Sequence, residues 1–170
     1  MFYRFSQLYN AIFPKIELKE YLCIEKILAA KELILFYKQT LPDQRHALDV
    51  AKDIQKERHS LENTYGSKAY QVLLRAALLH DCGKSLLPPR LWQRIFIVVT
   101  GYLPITGLNY ILSKQNIFVK TILVYKLHPA WGKHLAARAG CNQEILSLIQ
   151  NHHAPTNSIE KVLAKADSRH

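Results

Sequence analysis

Apolar residues recur at three- and four-residue intervals in segments 16–38, 41–59, 67–81, 128–139, 142–153 and 158–169. Few alternating β-branched runs interrupt them, so the pattern predicts helices and no strands. Helix-stopping chemistry falls between these segments: Leu41-Pro42-Asp43 before the second, Asn63 to Ser67 before the third, and Gly83 with Pro88-Pro89 after it. Gly140 separates the next pair, and Ala154 to Ser158 precedes the last. The expectation is an all-α fold, a helical bundle of about six to eight helices. It is expected to form one domain over residues 1–170, with an N-terminal helical extension over about 1–40 and an apolar insertion over about 88–120.

The same periodicity points polar residues inward. His46, Val50 and Ile54 recur every fourth position, which puts His46 on the buried face of the second segment. The string LLRAALLHD is apolar nearly all round, as a central buried helix must be, and delivers His80 and Asp81 at its C-terminal end. His128 shares a face with Trp131 and Leu135; His152 ends the stripe Ile145, Leu148, Ile149; Asp167 lies one turn after Leu163. Five helices thus each aim a histidine or carboxylate at the interior.

A lone histidine on an apolar face is more often a hydrogen-bonded core residue than a ligand. Several imidazoles and two carboxylates buried together are a different matter, because without compensation they would destabilise the fold by several kcal/mol. A divalent cation supplies that compensation. Nitrogen and carboxylate donors in this mixture suit Mn, Fe, Co, Ni or Zn, whereas Ca calls for oxygen alone.

Composition narrows the picture little. At 170 residues with 49% hydrophobic positions, the chain is long enough for one well-buried core and too apolar for disorder. Its formal charge of +10 attracts anions, whether phosphorylated small molecules, nucleic acid or a membrane face. The lysines and arginines are spread along the chain as a solvated surface, and no recognition helix or stacking motif supports nucleic acid beyond that charge. Cys23, Cys82 and Cys141 lack any CxxC spacing, and the N-terminus lacks an uninterrupted apolar h-region, so a soluble cytoplasmic protein is expected. The apolar segment 91–112 is broken by Gly101, Pro104 and Gly107, which argues against a spanning helix. A helix-break-helix insertion over the core is expected there, with a peripheral membrane or protein contact as the alternative.

The strings QRHALDVA, LLHDCGK, KLHPAWGKHLA, IQNHHAP and KADS, taken in that order over residues 42–169, resemble the HD superfamily of metal-dependent phosphohydrolases. The resemblance implies that His46, His80, Asp81 and Asp167 bind one metal. It further implies that His128 and His152, with His153 assisting or replacing the latter, bind a second, bridged by Asp81. Lys84 matches the family lysine that contacts substrate phosphate, although a helix C-terminal cation would look the same. Arg45 and Lys133 are weaker phosphate-contact candidates. What the resemblance implies is hydrolysis of a phosphate ester or anhydride of a nucleotide or other small phosphorylated metabolite, through metal-activated water. The alternative is a catalytically inactive metal-binding module acting as sensor or scaffold. The GYP motif that marks the cyclic-dinucleotide phosphodiesterase branch is absent, since His153 runs directly into Ala154-Pro155. Cys82 fills a slot usually taken by an aliphatic residue, as an inert small hydrophobe. His59 and His134 are expected to be exposed.

Overall fold

A computed structural model of the chain describes residues 14–88 and 117–170. The apolar segment 91–112, most of the expected insertion and the start of the N-terminal extension lie outside the described residues. Among the described residues there are eight α-helices, one short 3-10 helix and no strand, so the fold class is all-α. The helices are α1 (Leu18–Ile27), α2 (Ala30–Tyr37), α3 (Leu41–Lys56), α4 (Arg58–Tyr65), α5 (Ser67–Leu79), α6 (Ile117–Arg138), α7 (Gln143–Asn151) and α8 (Ser158–Asp167), with the 3-10 helix at Cys82–Leu86. None of them is long and apolar enough to cross a membrane.

Local chemistry fixes where the helices start. Thr40 Oγ1 accepts from the Asp43 amide ahead of α3, Asn142 Oδ1 from Ile145 ahead of α7, and Asn157 Oδ1 from Glu160 ahead of α8. The single helix expected over 16–38 is in fact two. Leu28 and Ala29 are extended, and Glu32 accepts the Ala29 amide at 3.0 Å to start a new helix. The break turns the chain so that Ile24 and Leu28 on one side, and Leu35 and Phe36 on the other, all reach the core. A further departure lies in the second segment, where α3 stops at Lys56 and α4 carries on to Tyr65. There Gly66, at φ +85°, makes the turn into α5.

Helix α5 is the axis of the bundle. Tyr70, Val72, Leu73, Leu74, Ala76, Ala77, Leu78 and Leu79 are all buried, and the helix touches α1, α2, α3, α4, α7 and α8. This all-round burial is what its nearly unbroken apolar sequence requires. Its C-terminus therefore opens in the middle of the protein, and His80 and Asp81 occupy that position with 0% and 2% exposure. Helix α6 starts eleven residues earlier than the apolar periodicity suggested and runs through Pro129.

Candidate metal centre

Three helix ends and two helix faces meet at the C-terminus of α5. His80 is the C-cap of α5 and His152 the C-cap of α7, while His46 stands on α3, His128 on α6 and Asp167 at the end of α8. A helix C-terminus leaves backbone carbonyls without intrahelical partners. Those carbonyls orient the rings here. His80 Nδ1 donates to Ala77 O at 2.8 Å and His152 Nδ1 to Ile149 O at 2.7 Å. His128 Nδ1 is oriented differently, by a bond to Val124 O one turn back inside α6, at 3.2 Å. With Nδ1–H committed, each neutral ring presents the lone pair of Nε2 to the interior.

What those lone pairs face is decisive. His128 Nε2 lies 3.2 Å from His152 Nε2, 3.2 Å from His153 Nε2 and 3.2 Å from Asp81 Oδ1. His152 Nε2 is 3.9 Å from the same oxygen. On the other side, His46 Nε2 is 2.9 Å from Asp167 Oδ1, and His80 Nε2 is 3.5 Å from both Asp167 Oδ1 and Asp81 Oδ2. Asp81 Oδ2 also takes the Lys84 ammonium at 2.5 Å. Asp81 thus turns one oxygen to each histidine group: Oδ2 to His46 and His80, Oδ1 to His128 and His152.

Acceptors outnumber donors in this cluster. Buried His80 Nε2 and Asp81 Oδ1 have no hydrogen-bond partner. An orphaned buried acceptor costs about 1–3 kcal/mol, more when charged, and lone pairs facing each other at hydrogen-bond distance repel. A cation removes both penalties at once. Three overlapping triads have ligand atoms within 4.8 Å of one another: His46, His80 and Asp167; His80, Asp81 and His152; His128, His152 and His153. Imidazole nitrogens and carboxylate oxygens in these groups fit a borderline divalent metal.

Electrostatics agree with the geometry. Burial opposes the Asp81 charge, but Lys84, then His80 and His128, hold its carboxyl well below the ordinary range. Burial likewise opposes the Asp167 charge, and the hydrogen bond from His46 together with the nearby His80 holds that group low. Burial alone would lower His80, yet the Asp81 and Asp167 carboxylates lift it to about 9. In the metal-free chain the proton therefore collects on His80, and the acceptor left without a donor is Asp81 Oδ1. His152 is pushed the other way, to about 3, by burial and by the neighbouring His80. It stays neutral, with its lone pair open.

The residues singled out in the sequence divide into those brought together and those that are not. His46, His80, Asp81, His128, His152, His153, Asp167 and Lys84 form one cluster. Arg45 is held by other partners: its guanidinium bonds Glu20 and Asp49, with Lys52 also paired to Glu20, so it pins α1 to α3. Lys133 Nζ donates to Gln150 Oε1 at 2.6 Å on the outer side of α6 and α7. Both side chains are thus engaged by partners outside the histidine and aspartate cluster. His59 and His134 are exposed, as expected, and Cys82 is fully buried with its thiol 3.6 Å from Gly132 O. Burial and the nearby Asp81 push that thiol up, leaving it un-nucleophilic.

Two neighbours of the site were not visible in the sequence. Tyr125 is half-exposed, with its ring centroid 6.0 Å from His128 and 5.7 Å from His153. Asp43 is buried, and after Asp81 it is the next charge holding the Lys84 ammonium protonated. The Thr40-x-x-Asp43 spacing marks an N-terminal cap, but nothing in it connects Asp43 to a lysine forty-one positions away. No protein-family model, curated protein or solved structure matches this chain.

Proposed function

We propose that the chain is a metal-dependent phosphohydrolase of the HD type, holding two divalent ions and cleaving an ester or anhydride of a small phosphorylated metabolite such as a nucleotide. The observation that carries the proposal is Asp81, which offers one carboxylate oxygen to each of two histidine groups while a lysine stands on its Oδ2 side. His46, His80, Asp81 and Asp167 would hold one ion, and Asp81, His128, His152 and His153 the other. Bound there, such ions supply a water acidified toward neutral pH and a positive clamp for phosphoryl oxygens.

The protein's own groups divide the remaining work. His80, Asp81, His128 and His152 are sealed beneath the surface, whereas His46, Asp167 and Lys84 keep side-chain exposures of 26%, 17% and 21%, and His153 is exposed. The cluster therefore opens on the side that carries Lys84. Burial opposes the Lys84 charge, but Asp81 and Asp43 hold its ammonium firmly protonated, so it meets a phosphate as a fixed cation and stabilises charge developing on phosphoryl oxygens. The formal charge of +10 attracts anionic substrates to the protein as a whole.

A second reading has one observation in its favour: the Lys84 ammonium bonds Asp81 itself, an arrangement that suits an inactive metal-binding module as well as a resting enzyme. Turnover separates the two. Purified protein supplied with Mn or Fe and assayed on bis-p-nitrophenyl phosphate and a panel of nucleotides should release phenolate or phosphate, with Asp81→Ala as the control. Cation binding without turnover of any member of the panel supports the inactive module, and activity that survives Asp81→Ala refutes the site.

A further inference from the structure

We propose that Gly83, with Gly132 beside it, is a positioning residue that decides whether the second histidine group can share Asp81, and so sets the number of ions the protein holds. This rests on the two-ion reading above. Gly83 lies two residues after Asp81, in the 3-10 helix Cys82–Leu86. A Cβ at Gly83 would sit 2.0 Å from His128 O, 2.6 Å from Gly132 N and 2.9 Å from His128 C. All three are backbone atoms of α6, so no rotamer change relieves the clash.

The carbonyl in question belongs to the residue whose ring meets Asp81 Oδ1. Restoring ordinary contact, from 2.0 Å to 3.4 Å, requires α6 and the Cys82–Leu86 turn to separate by about 1.4 Å, which draws His128 Nε2 and Asp81 Oδ1 apart. Metal–ligand distances tolerate deviations of only about 0.2 Å. The separation is several times that tolerance, and His128 leaves the shared oxygen. Gly132 completes the close approach from the α6 side. A Cβ there would meet Ile149 Cγ2 at 3.0 Å, Gly83 N at 3.4 Å and Cys82 Sγ at 3.5 Å. These contacts are softer, since the nearest is the end of a side chain, and Ile149 lies on α7 three residues before His152. The first group, His46, His80 and Asp167, stands on α3, α5 and α8, and none of the atoms crowding either glycine belongs to those three helices. It should be indifferent to both glycines.

The test is equilibrium dialysis of the full-length, metal-stripped chain against Mn, with circular dichroism confirming the fold of each variant. Wild type should hold two ions. Gly83→Ala should hold one, with the affinity of that ion unchanged, matching His128→Ala, which removes the ligand without moving the helix. Gly132→Ala should keep both ions and bind the second roughly tenfold more weakly, the size of effect seen when a ligand's support is disturbed. If Gly83→Ala does not fold, Gly132→Ala decides. Two ions at wild-type affinity in Gly83→Ala, loss of both ions from a folded Gly83→Ala, or an undiminished second ion in Gly132→Ala would overturn the inference. A wild-type chain that takes up no more than one ion overturns the two-ion reading and this inference together, which distinguishes the two failures.

Discussion

Two kinds of buried carboxylate coexist in this protein. Glu32 and Glu160 are each 1% exposed, and each is filled by four donors. Glu32 takes Arg75 on both oxygens, the Cys141 thiol on one and the Ala29 amide on the other. Glu160 takes Ser147 and Asn151 on Oε1 and the Thr156 amide and hydroxyl on Oε2. Asp81 is as deeply buried, yet its Oδ1 has no donor and faces the lone pairs of two imidazoles. A carboxylate has room for about four hydrogen bonds, and a group buried for structure uses them. One buried with acceptors around it keeps an oxygen that a cation can bind. The contrast separates a strut from a ligand more sharply than burial or conspicuous residue type does.

Substitution at the two kinds of site should have unlike consequences. Asp81→Ala is expected to give the largest effect, with phosphohydrolysis reduced to background and cation retention lost in the same preparation, read by assay and metal analysis. Lys84→Met should leave the ions in place and lower kcat by about 10²–10³-fold, the range for removing one group that stabilises transition-state charge. Removing the metal with a chelator should lower Tm by roughly 5–10 °C relative to protein at about a hundredfold excess of metal over Kd, measured by calorimetry. Glu32→Gln should destabilise the fold by about 1–3 kcal/mol in urea titrations, since Arg75 loses its charged partner, while cation stoichiometry stays at the wild-type value.

The two kinds of site should also titrate at opposite ends of the pH scale. The Glu160 donors hold its carboxyl down to about 2 from the usual 4.5. Its contribution is therefore fully present above pH 4.5 and lost as pH falls toward 2. His80, lifted from 6.5 to about 9, behaves inversely in the metal-free chain. Its contribution is complete below pH 6.5 and lost as pH rises through 9. The same proton competes with metal, so cation affinity should climb roughly tenfold per pH unit across that window. Metal uptake that is flat between pH 7 and 9 would show that His80 is not a ligand.

The histidine and aspartate cluster was legible in the sequence because each member ends or continues an apolar stripe. His152 after Ile145, Leu148 and Ile149, and Asp167 after Leu163, are placed by 3.6-residue periodicity alone. The supporting parts were less legible. Arg45 sits next to His46 in sequence, but a helix turns adjacent residues about 100° apart, and Arg45 swings to Glu20 on α1. Lys133 follows His128 by five positions and falls on the outer face for a similar reason. The break at Leu28–Ala29 carries no proline or glycine, so only the Glu32 cap, a common residue in a common place, announced it. Gly83 read as punctuation at a helix end, when its missing side chain is what admits the α6 backbone. Close approach between distant segments leaves no periodic trace.

The most direct test of the cluster as a metal centre is a titration of the stripped protein with Co at pH 8, followed by visible absorption and calorimetry. Binding should saturate at two ions per chain with ligand-field bands of nitrogen and oxygen coordination, and should be lost in Asp81→Ala. A folded wild-type chain that gives no bands and no heat at millimolar Co would contradict the assignment.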